Sequence, residues 1–165
     1  MKKEQLRIGA STTYFFDQAP SPCMTAPDDA YEFFRGDHFA RENGLELIDA
    51  GPGRAVVSMQ IQKRHKNSHG TVHGGALFTL ADCAFALASN SDGVLAAAIN
   101  ASISYLTAAR EGTLTAVAEE FAKNPKLASY TVIITDENNA RIAIFQGMVY
   151  RKQPWDNEDN KRVRA

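Results

Sequence analysis

The stretch His73-Gly74-Gly75-Ala76-Leu77-Phe78-Thr79-Leu80-Ala81-Asp82-Cys83-Ala84-Phe85-Ala86-Leu87-Ala88-Ser89 is the longest apolar run of the chain, and the fold turns on how it is read. Its length and its small residues predict one long helix rather than a strand. Leu77, Leu80, Ala81, Ala84 and Ala88 fall on one face, where the alanines allow a sheet to approach closely. Asn90, Asp92 and Gly93 end the run. Asp82 breaks its apolar character: five residues beyond Leu77, at about 100° per residue, it stands roughly 140° around the helix from that leucine.

The flanks supply a shorter helix and several strands. Residues 30–43 carry Tyr31, Phe33, Phe34, His38 and Phe39 at three-to-four spacing, with Asp28 or Asp29 as cap and Gly44 as stop. Residues 45–49 read as a strand, Gly51-Pro52-Gly53 as a turn, and 54–62 as a second strand with Ala55, Val57, Met59 and Ile61 on one face. Downstream, Ile99, Ala101, Ile103 and Tyr105 alternate with Asn100, Ser102, Ser104 and Leu106. Residues 113–119 alternate less cleanly, while Tyr130, Val132 and Ile134 mark a strand over 127–135. A turn at Asp136-Glu137-Asn138-Asn139 predicts a hairpin with residues 141–151, whose Ile142, Ile144, Gln146, Met148 and Tyr150 share a face. One long helix against an antiparallel sheet makes the fold class α+β.

The chain of 165 residues suits a single domain. We read residues 1–29 as an extension, 30–153 as the folded body and 154–165 as a polar tail. Tyr14, Phe15 and Phe16 form an aromatic cluster within the extension. With 18 Lys plus Arg against 19 Asp plus Glu, there is no chain-wide basic field, so nucleic acid is not the expected partner. No apolar segment follows Lys2 and Lys3 as a leader would require, and no run is long enough to span a membrane. Cys23 and Cys83 are expected to be free thiols in a reducing compartment, which makes the expected location cytoplasmic.

The chemistry gathers around the start of the long helix. A lone carboxylate such as Asp82 is costly to bury, and is tolerated where it meets a pocket or a subunit interface. Either it is simply a satisfied helix residue, or its ionised form acts as nucleophile or general base. Gly74 and Gly75 either only open the helix or let a carbonyl reach the free amides of its first turn, where a developing oxyanion is stabilised. His73 either shapes that turn or orients a water or the substrate carbonyl, and Asn67 is either a turn former or a catalytic amide. A metal held by His65, His69 and His73 is not expected, because Gly70 and Gly74 interrupt any helix through all three. Ser68, His73 and Asp82 lack the Gly-x-Ser-x-Gly elbow of a serine hydrolase, and no phosphate-loop fingerprint is present. Lys63, Arg64 and Lys66, with Lys123, Lys126, Arg151 and Lys152 near strand ends, offer phosphate contacts if several converge.

The pattern Asn67-x5-His73-Gly74-Gly75-x6-Asp82, set within residues 38–151, resembles the hot-dog-fold thioesterases, and among them the phenylacetic-acid-degradation type acyl-coenzyme A thioesterases. The resemblance implies a hot-dog fold, with a long central helix wrapped by an antiparallel sheet. It implies a homodimer with two interfacial sites, and dimers that pair into a homotetramer. It makes Asp82 the catalytic carboxylate of one subunit, facing Gly74, His73 and Asn67 of the other, with the Gly74 amide polarising the thioester carbonyl. The implied reaction is hydrolysis of an aromatic or short- to medium-chain acyl-coenzyme A. No cofactor or metal is required, because coenzyme A enters as part of the substrate. Phe78, Phe85 and Tyr105 either line an acyl tunnel or belong to the core. The competing readings are a non-catalytic acyl-coenzyme A-binding protein and a hot-dog dehydratase or hydratase.

Overall fold

The computed structural model describes residues 28–154. Its elements run α1 (Asp28–Gly36), α2 (His38–Glu42), β1 (Leu45–Gly51), β2 (Arg54–Gln60), a 3₁₀ turn (Lys63–His65), α3 (Gly74–Asn90), β3 (Val94–Tyr105), β4 (Thr113–Lys123), β5 (Leu127–Thr135) and β6 (Arg141–Pro154). The apolar run is one helix of 17 residues, as its length and composition predict, with His73 just outside it as the N-cap. The six strands form a single antiparallel sheet in the order β1-β2-β4-β5-β6-β3, and α3 touches every one of them.

The inner face of the sheet is read off the buried alternation. Ala55, Val57 and Met59 of β2, Leu114, Ala116 and Ala118 of β4, and Tyr130, Val132 and Ile134 of β5 are all buried. They close on Leu80, Ala81, Ala84 and Ala88 of α3, which are buried too. Alanine on both partners explains the close approach, since little side chain separates helix from sheet. At the centre, Phe85 meets Tyr130 edge-on at 5.4 Å and Phe145 at 5.5 Å, while Phe78 meets Phe145 at 5.4 Å. Phe85 is therefore a core residue rather than part of a tunnel.

Three expectations need correction. The single helix over 30–43 is two helices, because Gly36 ends α1 and the Asp37 carboxylate caps α2 by accepting the Ala40 N–H at 2.9 Å. Asp28 and Asp29, expected as caps, already lie in α1. In β6 the face turned to α3 is Ala143, Phe145, Gly147 and Val149, and the set Ile144, Gln146, Met148 and Tyr150 points outward. Apolar residues on both faces hide the choice. Ile142 is the exception: it is the extra residue of a bulge opposite Ile134 and Thr135, which turns it inward to be buried.

Smaller differences are matters of length. β2 stops at Gln60, β3 begins at Val94, and β4 runs on to Lys123. α1 reaches back to Asp28, inside the expected extension, and β6 reaches Pro154. The aromatic cluster Tyr14, Phe15 and Phe16, Cys23, and the polar tail from Trp155 onward lie outside the described residues.

Candidate active site

His73 is held by its backbone and its ring together. Its N–H donates to the His65 carbonyl at 2.8 Å, and its carbonyl accepts the Ala76 and Leu77 amides at 2.9 and 3.2 Å. Its ring Nδ1 accepts the Gly75 N–H at 2.8 Å. An acceptor at Nδ1 puts the proton of the neutral ring on Nε2, so the exposed imidazole presents an N–H outward. These bonds account for the amides of Gly75, Ala76 and Leu77. The Gly74 N–H has no acceptor among the described residues, and it sits at the positive end of α3.

Gly74 lacks a side chain for a reason the sequence did not disclose. A Cβ there would lie 2.9 Å from the Tyr105 hydroxyl and 3.0 Å from its ring. The Tyr105 hydroxyl donates to the Gly74 carbonyl at 3.2 Å. The last residue of β3 thus lies over the helix start.

Asn67 works one loop earlier. Its Oδ1 accepts the His69 and Thr71 amides at 2.9 and 3.2 Å, and its Nδ2 donates to Thr71 Oγ1 at 2.9 Å. Gly70, at a φ of 72°, completes the turn that delivers the chain to His73. The Asn67 amide makes no hydrogen bond to His73, Gly74 or Asp82 among the described residues. His65 is buried, accepts the Gln62 N–H on Nδ1 at 3.1 Å and donates from Nε2 to the Asn43 carbonyl at 2.9 Å. Its burial pushes the imidazole pKa down, so it stays neutral and ties the loop to the end of α2. The exposed His69 offers its carbonyl to Arg110 at 3.3 Å. The three histidines thus serve separate tasks, and no three His, Cys, Asp or Glu side chains converge among the described residues.

Asp82 is half-buried on α3 with no hydrogen-bond or ion-pair partner among the described residues. Burial raises its pKa, and the Asp37 carboxylate at the α1–α2 junction raises it further. It stands eight residues after Gly74, which is about 12 Å along the helix. Within one chain the structure brings His73, Gly74 and Tyr105 together and leaves Asp82 apart from them. An open groove of about 270 Å³ flanks the helix start on the α2 side, lined by Phe39, Asn43, Arg64, His73, Ala76 and Thr79 among others.

The basic residues separate into two groups. Arg64 binds the Glu42 carbonyl at the end of α2 with a 2.6 Å bond, near the start of α3. Lys123 and Arg151 share Asp92 at 3.4 and 2.8 Å, just past the other end of α3. Lys126 joins them, since its carbonyl accepts the Arg151 N–H at 2.8 Å. The length of α3 keeps the two groups roughly 25 Å apart.

The thioesterase superfamily model matches residues 69–143, the span that holds His73, Gly74, Asp82 and Tyr105. The chain is 35% identical over 123 residues to the acyl-coenzyme A thioesterase PaaI of Escherichia coli, covering 74% of this chain and 88% of that one. It belongs to the thioesterase superfamily, in its PaaI-like branch. The solved E. coli PaaI structure matches with a TM-score of 0.73 at 33% identity, over 76% of this chain and 91% of that one. A thioesterase structure from Streptococcus pneumoniae, solved with coenzyme A, matches with a TM-score of 0.70 at 25% identity, over 76% and 98% of the two chains. The hot-dog expectation therefore holds for this thioesterase: one long helix lies in a sheet of six antiparallel strands.

Of the residues around its site, sequence reasoning missed two. Asp37 fell unremarked inside the single helix expected over 30–43, and Tyr105 was weighed only as tunnel or core. Its alternation with Ile103 and Ala101 on β3 was visible; that this face ends over Gly74 was not, because no local pattern records register between a strand and a distant helix.

Proposed function

We propose that this acyl-coenzyme A thioesterase cleaves its substrate at a site shared between two copies of the chain. The observation that carries the reading is the separation of Gly74 and Asp82 by eight residues of α3, a rise of about 12 Å along the helix axis, with no hydrogen bond joining Asp82 to the helix start among the described residues. A reacting carbonyl must lie about 3 Å from both its oxyanion donor and its attacking group, which one chain cannot supply. The thioester oxygen accepts from the Gly74 N–H and the His73 Nε2–H. Asp82 of the second copy either attacks the carbonyl carbon, giving an anhydride that water then opens, or takes a proton from the water that attacks. In both routes the carbon–sulfur bond breaks, coenzyme A leaves as the thiol, and the acyl group leaves as the free acid. Water is the only co-reactant, and no metal or cofactor takes part. Asn67 shapes the loop that delivers His73.

The open edge of the sheet supports a dimer. β3 is an edge strand of 12 residues with no strand on its far side among the described residues, and its last residue bonds the Gly74 carbonyl. Ile99 and Tyr105 on it, and Leu106 just after it, are more than half exposed, at 57%, 55% and 51%. A long edge with apolar side chains invites pairing with a second copy. On the outer face, the register places Val56, Val117, Ile133 and Ile144 in one row across four strands. That row is the surface on which two dimers pair into the tetramer. Lys126 and Lys152, beside the Lys123 and Arg151 pairs, receive the phosphates of coenzyme A. The groove beside His73, walled by Phe39, takes an aromatic or short- to medium-chain acyl group. Because the E. coli structure comes from a phenylacetic acid degradation operon, arylacetyl thioesters come first among the candidates. No helix among the described residues is long and apolar enough to cross a membrane, and the buried free thiol of Cys83 fits a cytoplasmic location.

Two measurements test this reading. Thiol release from a panel of arylacetyl, aroyl and aliphatic acyl-coenzyme A esters shows turnover without added metal. Sedimentation or gel filtration shows no monomer at working concentration; a stable monomer that turns over would contradict the shared site.

The pH dependence follows from the environment of Asp82. Only the ionised carboxylate attacks or accepts a proton, and burial with Asp37 nearby raises its pKa. The acidic limb of kcat/KM therefore lies above the ordinary carboxylate value of about 3.9. The same shift sets the sign for stability. An acid whose folded pKa is raised prefers to be protonated when folded, so its ionisation at neutral pH weakens the fold. Asp82→Asn is expected to raise Tm at pH 7, and the gain disappears below the ordinary carboxylate range, where both states hold the proton. A lower Tm for the variant at pH 7 would contradict an unpartnered carboxylate.

A further inference from the structure

We infer that Tyr105 is a positioning residue: it holds and polarises the carbonyl-binding donors by clamping the Gly74–Gly75 peptide from the opposite side to His73. The inference rests on the reading that His73 and Gly74 hold the thioester carbonyl. The Tyr105 hydroxyl donates to the Gly74 carbonyl at 3.2 Å, and the Gly75 N–H of the same peptide donates to His73 Nδ1 at 2.8 Å. Both polar ends of one peptide unit are thus gripped by side chains from two different elements. The carbonyl has a second lone pair for the phenol beyond its helical bond.

The order of donation matters. Phenol O–H to carbonyl, amide N–H to Nδ1, and Nε2–H to substrate all run in one direction, so each bond strengthens the next. The chain ends on the imidazole N–H aimed at the thioester oxygen. It also rigidifies a Gly-Gly helix start that has no side chains of its own to fix it. The Tyr105 ring supplies that contact, since it fills the space a Cβ would take at Gly74, 2.9 Å from the hydroxyl.

Tyr105→Phe keeps the ring and removes only the hydroxyl. The expected result is a kcat about three- to tenfold lower, the worth of one net hydrogen bond, with KM, Tm and oligomer mass unchanged. Nitrogen NMR of the His73 ring reads the clamp directly. The wild type shows the Nε2-protonated tautomer, and Tyr105→Phe shows a mixture with the Nδ1-protonated form. A wild-type kcat, an unchanged tautomer, or a loss confined to KM, Tm or assembly overturns the inference. If the wild type turns over no acyl-coenzyme A, the shared-site mechanism fails instead, and the ring-nitrogen spectrum alone decides the clamp.

Discussion

Asp82→Asn is expected to lower kcat by roughly 10²–10⁴-fold, the range typical of a positioned acid or base, while the substrate still binds. The amide has nearly the shape of the carboxylate and keeps the helix intact, but it neither attacks a thioester nor accepts a proton from water. Nothing else on α3 can substitute. Cys83 is buried and free, and burial pushes its thiol pKa up, so it supplies no thiolate. Thiol release under saturating acyl-coenzyme A measures kcat, and calorimetry with a non-hydrolysable thioether analogue measures binding. Wild-type turnover by the variant would remove Asp82 from the chemistry, whereas loss of binding with kcat retained would make it a contact residue.

Gly147→Ala is expected to cost the fold about 2–3 kcal/mol, near the upper end for overpacking a core. The reason is specific. Gly147 on β6 faces α3, and a Cβ there would lie 2.7 and 2.8 Å from Phe85 and 2.9 Å from Phe145. Neither ring has room to move, since Phe85 and Phe145 are 1% and 0% exposed and Phe85 is also set against Tyr130. For a chain of this size the Tm should fall by roughly 5–10 °C. Adding Phe85→Leu to Gly147→Ala should recover part of the loss, because the two positions share one volume. An unchanged Tm for Gly147→Ala would mean that the rings and the strand are less closely packed than described.

How much of this was legible depended on whether the deciding signal was local. The α3 helix was, because its 17 residues are apolar and mostly small. β5 was also legible, since Tyr130, Val132 and Ile134 alternate with Thr131 and Ile133 on a strand with one clear inner face. β6 was not, because Ile144 and Met148 are as apolar as Phe145 and Val149, and the bulge at Ile142 turns one residue of the outward set inward. The break at Asp37 was readable in principle as a cap after Gly36, but the aromatic residues on either side masked it. The spacing of Asn67, His73, Gly74 and Asp82 marked the residues of the site without their contacts. That Tyr105 covers Gly74, and that Asp37 lies near enough to raise the Asp82 pKa, arise from packing between elements far apart in sequence.

Subunit complementation tests the shared site most directly. Gly74→Pro removes the oxyanion donor at the first helical position, where proline is tolerated, although its ring displaces Tyr105. Homo-oligomers of Asp82→Asn and of Gly74→Pro should each be inactive. When the two are unfolded, mixed in equal amounts and reassembled, half of the dimers are mixed, and each mixed dimer regains one intact site of two. The account predicts recovery of about a quarter of wild-type specific activity, as a two-fold symmetric interface requires. Mixtures that stay as inactive as the separate variants would contradict it, because Asp82 and Gly74 would then have to act from the same chain.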